Sequence, residues 1–133
     1  MTQEDKELLL KDLCARLPYK VKVNEAIHGD FTLIGLTNER VFTTCEIEGC
    51  HNDFPIENIK PYLFPLSSMT EVQKKEYNLL RDYVPIEHDN YRDIVEDADM
   101  HDNWQSIDYL IANHFDFRGL IPKGLAIDAT GLY

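Results

Sequence analysis

Carboxylate and imidazole groups are concentrated in one short part of the chain, between residues 87 and 102. They come from Glu87, His88, Asp89, Asp97, Asp99, His101 and Asp102. Such groups coordinate hard cations, and the alternate-residue spacing of Asp97 and Asp99 is that of a calcium loop. The central glycine and distal glutamate of an EF-hand are absent, so a solvated acidic loop is the simpler interpretation. A metal-dependent hydrolase is the other hypothesis, with a site at His88, Asp89, Asp99 and His101.

Cys45, Cys50 and His51 form the pattern C-x4-C-H, which could supply three zinc ligands. Zinc sites usually separate paired cysteines by about two to four residues and need a fourth ligand, here His28 or Asp53. The alternative is a strand cysteine and a turn cysteine beside an exposed histidine. The chain has three cysteines, and this odd number argues against a disulfide framework.

Arg118 and Lys123 are the two bases that follow residue 92. They could hold a nucleotide or another anion in a pocket with the aromatic rings of Phe115, Phe117 and Tyr133. In the alternative, Arg118 hydrogen-bonds the last carbonyls of a helix or pairs with a neighbouring carboxylate. Carboxylates are abundant nearby, so the sequence favours the structural role.

No motif of phosphate binding or covalent catalysis is present. The six glycines form neither GxGxxG nor GxxxxGK[ST], and there is no GxSxG elbow. Ser67 and Ser68 are better explained by helix capping than by nucleophilic catalysis. His114 shares a helix face with Ile107 and Ile111, which is typical of a packed, hydrogen-bonded histidine. We therefore predict a protein that is not an enzyme and uses no cofactor.

The acidity of the chain is local. The net charge is −11, and residues 82–116 hold ten acids and one base, a net of −9. Such a field repels nucleic acid and anionic lipid and attracts basic protein surfaces. The predicted binding surface consists of Asp89, Asp93, Glu96, Asp97, Asp99 and Asp102. We expect a protein partner with a basic surface, no membrane association and no direct nucleic-acid binding.

Hydrophobic periodicity predicts three helices, at about residues 3–17, 71–83 and 105–114. The apolar stripe of the first contains Leu10, Leu13, Cys14 and Leu17, so Cys14 is interpreted as a buried thiol. Ser68 with Glu71, or Thr70 with Gln73, forms a capping box before the second helix. The inner face of that helix is drawn from Val72, Glu76, Leu79, Leu80 and Tyr83.

Between residues 20 and 62 the apolar period changes to two, with turn residues near 28–30, 37–39 and 49–53. The last predicted strand covers residues 54–59. Short strands joined by tight turns predict an antiparallel meander, either open or closed as a small SH3-like barrel. The expected fold is therefore α+β, a single domain over residues 1–133 with an acidic loop at 84–103.

The bulk composition is that of a folded, intracellular domain. Hydrophobic residues make up 44% of the 133, enough for a core. The apolar run Leu8–Leu10 is far too short to cross a bilayer. The chain begins with polar and acidic residues, unlike a secretory signal. We expect a cytoplasmic protein.

Three segments carry a resemblance to known sequences. They are residues 6–19 (KELLLKDLCARLPY), 59–70 (IKPYLFPLSSMT) and 107–133, which contains HFDFRGLIPKGLAIDATGL. Together they cover a little under half of the chain. They resemble a family of small uncharacterised proteins from Bacteroides-type bacteria, their phages and mobile elements. The resemblance implies a context, a small accessory protein in a bacterial host cytoplasm, and no catalytic residues.

Our leading hypothesis is a non-enzymatic accessory protein that binds a host or phage macromolecule, most simply a protein, through its acidic surface. A small-molecule or nucleotide-sequestering protein, with a site near Arg118, is the alternative. The metal-dependent hydrolase is the third.

Overall fold

The computed structural model describes residues 1–45, 50–82 and 104–132. Within them the chain folds as α+β, as the sequence predicted, with three α-helices and a six-stranded mixed sheet. No helix of the described part is long and apolar enough to cross a membrane.

Helix α1 spans Gln3–Arg16 and begins where predicted. The side-chain oxygen of Thr2 accepts a hydrogen bond of 3.1 Å from the backbone N–H of Asp5, which satisfies one of the free donors at the helix start. The helix continues into a 3-10 turn at Leu17–Tyr19, where Pro18 prevents further α-helical hydrogen bonding.

The buried face of α1 differs from the predicted stripe by one residue. It consists of Leu9, Asp12, Leu13 and Arg16. Cys14 is exposed, so the prediction of a buried thiol is wrong. One residue corresponds to a rotation of about 100° around the helix axis, which brings two charged side chains to the inner face.

Five strands form the main part of the sheet. They are β1 (Lys22–Glu25), β2 (Gly29–Leu36), β3 (Arg40–Thr44), β4 (His51–Pro55) and β5 (Ile59–Leu63). Strands β1 to β4 are the predicted antiparallel meander, and β5 pairs antiparallel with β1 on its other side. The predicted strand at 54–59 is corrected: Ile56–Asn58 is a 3-10 turn that separates β4 from β5.

A sixth strand comes from the C-terminal tail. Strand β6 (Ile127–Asp128) pairs parallel with β5, giving the order β4-β3-β2-β1-β5-β6. The tail is therefore folded onto the domain. The choice between an open sheet and a closed SH3-like barrel stays a prediction.

The main core lies between α1, the sheet and the tail. Its buried side chains include Leu9 and Leu13 of α1, Val23 and Leu33 of the sheet and Leu120 of the tail. Each such side chain removed from water contributes roughly 1.5–3 kcal/mol, so this cluster is the principal apolar contribution to folding.

Helices α2 (Glu71–Asp82) and α3 (Trp104–Ala112) pack beside a smaller core of Met69, Leu110 and Phe115. A capping box begins α2, because Thr70 and Gln73 exchange hydrogen bonds of 2.9 and 3.2 Å. The predicted inner face of α2 is partly wrong, since Val72 and Leu79 are exposed. Leu80 is half-buried as predicted, and Tyr77, which was not predicted, is half-buried too. Glu76 is exposed, and Tyr83 lies outside the described residues.

Candidate functional site

The six acidic residues of the predicted binding surface lie outside the described residues, as do His88, His101 and Tyr133. Their attachment points are described, however. The chain leaves the described part after Asp82, the last residue of α2, and re-enters it at Trp104, the first residue of α3.

Helices α2 and α3 run antiparallel. The rings of Tyr77 and Tyr109 lie 6.4 Å apart, and Gln73 and Asn113 line the same cleft. Between the first pair and the second, the position on the α2 side moves four residues back along the chain, and the position on the α3 side moves four residues forward. Five residues further along α2 and five earlier on α3, the same register brings Asp82 close to Trp104.

The pairing is reinforced by a hydrogen bond of 2.8 Å from the Tyr109 hydroxyl to the Glu76 carboxylate. Burial and this carboxylate acceptor together raise the pKa of Tyr109 to about 12. The hydroxyl therefore keeps its proton at any physiological pH, and it remains a donor that orients α3 against α2.

Three large apolar side chains project into solvent from this helix pair. Val72 is 65% exposed, Leu79 is 73% exposed and Trp104 is 78% exposed. Val72 and Leu79 are seven residues apart, so they lie on one face of α2, and Trp104 lies near the Leu79 end of that helix. The helical spacing of Val72 and Leu79 predicted a core face for α2, so this exposed surface was not predicted.

Asp116 does not belong to the acidic surface, although it contributes to the charge of residues 82–116. It is buried, and its two carboxylate oxygens accept hydrogen bonds of 2.8 and 2.9 Å from the backbone N–H groups of Leu120 and Ile121. Its role is to fix the turn that begins the C-terminal tail. Asp108, on α3, is exposed.

Asp12 and Arg16 form a fully buried ion pair on α1. Arg16 donates to the two Asp12 oxygens at 2.8 and 3.2 Å. It also donates to the backbone carbonyls of Ile111 and Phe115, 95 and 99 residues away along the chain. The i, i+4 spacing of Asp12 and Arg16 was visible in the sequence, but their burial was not.

Arg118 joins this cluster and performs the structural role that the sequence favoured. Its Nε donates to Asp12 at 3.2 Å, and its guanidinium lies 4.6 Å from the centre of the Phe117 ring. Lys123 is exposed. The structure brings Arg118 and Phe117 together.

His114 is packed, as predicted. Its Nε2 donates to the carbonyl of Tyr19 at 3.1 Å, while its buried Nδ1 has no partner among the described residues. Burial, and then the nearby charge of Arg16, lower the pKa of His114 below its usual 6.5. The neutral imidazole is the form that fits this position.

Cys45 and Cys50 form a disulfide at the end of the β3–β4 hairpin, with 5.6 Å between their Cα atoms. This corrects the expectation that the cysteines stay unpaired. A disulfide sulfur is not a thiolate, so these two residues offer no zinc ligands as they stand. His51 is exposed beside them.

The two residues predicted to complete a zinc site have other partners. Asp53 pairs with Arg40 at 2.7 Å across the hairpin. His28 Nδ1 lies 2.6 Å from the buried carboxylate of Glu25. Burial opposes ionisation of Glu25, but hydrogen bonds from His28 and Ile27 outweigh it and lower the pKa of Glu25. In the described part of the chain, no three metal-binding side chains come together.

Comparisons with known proteins identify no relative. The chain matches no protein family, no curated protein and no solved structure.

Proposed function

We propose that this protein is a non-enzymatic accessory protein that binds another protein through a surface built on α2 and α3. The carrying observation is the position of three exposed apolar side chains, those of Val72, Leu79 and Trp104, on the helices to which the acidic residues 84–103 are joined. The partner is a protein whose surface combines basic groups with an apolar patch.

Interface energetics support this arrangement. Protein interfaces concentrate their binding energy in a few large apolar side chains, with tryptophan among the most enriched. Charged groups around such a centre increase the association rate and select the partner. Residues 84–103 contain seven acids and one base, so a complementary partner is basic. Binding of a protein partner through such a surface requires neither a buried cofactor nor a catalytic group.

The cellular context belongs to the same proposal. Because three segments resemble proteins of Bacteroides-type bacteria and their phages, the proposed partner is a protein of a bacterial host cell. Disulfides are rare in the cytoplasm, so the Cys45–Cys50 bond argues against that compartment, and the cytoplasmic location stays a prediction.

The test is an affinity capture from host lysate at low and high salt, followed by binding constants for the captured protein. The acidic variant carries Asp97→Asn, Asp99→Asn and Asp102→Asn. A control variant removes three exposed charges far from α2 and α3: Glu4→Gln, Glu7→Gln and Glu39→Gln. The apolar variant is Trp104→Ala, which leaves the cores intact because this side chain is exposed.

We expect the acidic variant to bind at least tenfold more weakly and to lose most of the salt dependence. Trp104→Ala should weaken binding by roughly 2 kcal/mol, the range of an interface hot spot. The control variant should bind as the unmodified protein does. Equal weakening by the control and acidic variants would reduce the effect to net charge, and unchanged binding in all variants would refute the proposed surface.

A further inference from the structure

A cleft of about 360 Å³ lies where four parts of the chain meet. They are represented by Phe64 just after β5, Gln73 in the first turn of α2, Asn113 just after α3 and Gly131 in the tail. The volume falls in the lower part of the range found for small-molecule sites. The cleft is therefore of a size for one ring system.

The partly exposed ring of Phe64 forms the aromatic part of the cleft, and the buried ring of Phe115 lies behind it. The rings of Phe64 and Phe115 meet edge to face with centroids 6.3 Å apart. Their backbones are fixed by short hydrogen bonds, from Phe64 N–H to the His114 carbonyl at 2.9 Å and from Asp116 N–H to the Phe64 carbonyl at 2.8 Å. The apolar surface is thus held in place before any ligand arrives, which lowers the entropic cost of binding.

Two amide side chains supply hydrogen-bonding groups at the rim. The Oε1 of Gln73 accepts from the backbone N–H of Thr70 at 2.9 Å, which leaves its Nε2 as a donor. The Nδ2 of Asn113 donates to the carbonyl of Tyr109 at 2.9 Å, which leaves its Oδ1 as an acceptor. One donor on α2 and one acceptor in the turn after α3 therefore border the same cleft.

None of the eight lining residues is charged. An ionic ligand would lose part of its hydration here without gaining a countercharge, which is unfavourable. We propose that the cleft binds a small uncharged ring molecule, a nucleoside or a monosaccharide. Its apolar face packs on Phe64, which the buried Phe115 supports from the core, and its polar edge bonds the amides of Gln73 and Asn113.

The test is a titration of the ¹⁵N-labelled protein, followed by amide resonances, with adenosine, uridine, glucose and galactose in turn. A ligand of this size binds with a Kd on the order of 0.1–1 mM, so each titration extends to roughly ten times that concentration. We expect shifts of the Asn113 and Gly131 resonances. Saturation by nucleosides alone, or by sugars alone, supports the proposal and identifies which source supplies the ligand.

Gln73→Glu is the decisive variant, because glutamate keeps the capping box while it replaces the rim donor by a negative charge. We expect it to weaken binding at least tenfold with little change in stability. Gln105→Glu makes the same chemical change at an exposed position of α3 and should bind as the unmodified protein does. No shift with any compound, or equal binding by Gln73→Glu, overturns the proposal. Capture of the protein partner by Gln73→Glu, which should be unchanged, tests the function of the acidic surface separately.

Discussion

At the scale of the residue, His114 combines an unusual backbone with an unusual side-chain environment. Its φ is 59°, in the left-handed region that most residues avoid. This conformation ends α3 and turns its imidazole toward Tyr19, beside the buried Arg16 and Asp12. A proton on the imidazole would add a second cation next to Arg16 and would be buried without an acceptor at Nδ1.

His114 should therefore make stability depend on pH. Because the pKa of His114 is lowered by folding, the unfolded chain binds a proton first as the pH falls through about 6.5. Stability is full above that pH and decreases below it, until the folded form is also protonated. Replacing His114 by Asn, which tolerates a left-handed backbone, should remove this part of the slope.

Urea unfolding of both proteins between pH 8 and pH 5 measures the difference. The other four histidines are present in both proteins, so the difference between the two slopes belongs to His114. Identical slopes would mean that the imidazole is as accessible to protons in the folded protein as in the unfolded chain.

At the scale of the element, the β3–β4 hairpin shows how a local pattern can have more than one outcome. Thr44 pairs with His51. The next residue of each strand toward the turn is a cysteine, and Cys45 and Cys50 form the disulfide. The sequence pattern C-x4-C is compatible with a metal loop and with a hairpin disulfide alike. The register of the two strands distinguishes between them, and register depends on the rest of the sheet.

The double substitution Cys45→Ser and Cys50→Ser should destabilise the protein by about 2 kcal/mol, the entropic effect of opening a short cross-linked loop. Thermal or urea unfolding measures this loss. A reducing agent should destabilise the unmodified protein by a similar amount and leave the double variant unchanged. Cys14→Ser is the control, since this cysteine is exposed and unpaired in the structure. Two free thiols at positions 45 and 50 in air-purified protein would contradict the prediction.

At the scale of the whole molecule, the Asp12–Arg16–Arg118 cluster connects its two halves. Arg16 of α1 bonds the end of α3, and Arg118 of the tail bonds the same Asp12 that pairs with Arg16. The main core and the smaller core beside α2 and α3 are thus joined by one carboxylate and two guanidinium groups. Both charged side chains of the α1 pair are fully buried, so each one offsets the desolvation energy of the other.

Asp12→Ala should cost roughly 3–5 kcal/mol, because it leaves a buried arginine without its counterion. The free energy of unfolding in urea measures the loss, with Glu4→Gln on the exposed side of α1 as the control. The paired replacement Asp12→Leu with Arg16→Met should recover only part of this loss. It removes both buried charges of α1, but it also removes the hydrogen bonds to the Ile111 and Phe115 carbonyls and the partner of Arg118. A loss below about 1 kcal/mol for Asp12→Ala would show that water reaches this pair.

The sequence by itself determined the elements and the fold class. Helical periodicity, the capping pattern at Thr70 and Gln73, and alternation with turn residues before residue 62 depend on neighbours a few positions apart. Three helices and the β1–β4 meander were therefore predictable within a few residues. The sequence also favoured a structural role for Arg118, although the carboxylate with which it pairs, that of Asp12, lies 106 residues away along the chain.

Only the tertiary structure decided which faces of those elements are buried. Asp12 and Arg16 lie on the inner face of α1 because they bond to Ile111, Phe115 and Arg118. These partners are 95 to 106 residues away along the chain, so local sequence does not reveal them. The parallel pairing of β6 with β5, the cysteine pairing and the exposure of Val72 and Leu79 likewise depend on distant parts of the chain. Local patterns specify what an element is, but the free energy of burial is shared between elements, and so is set only when they pack.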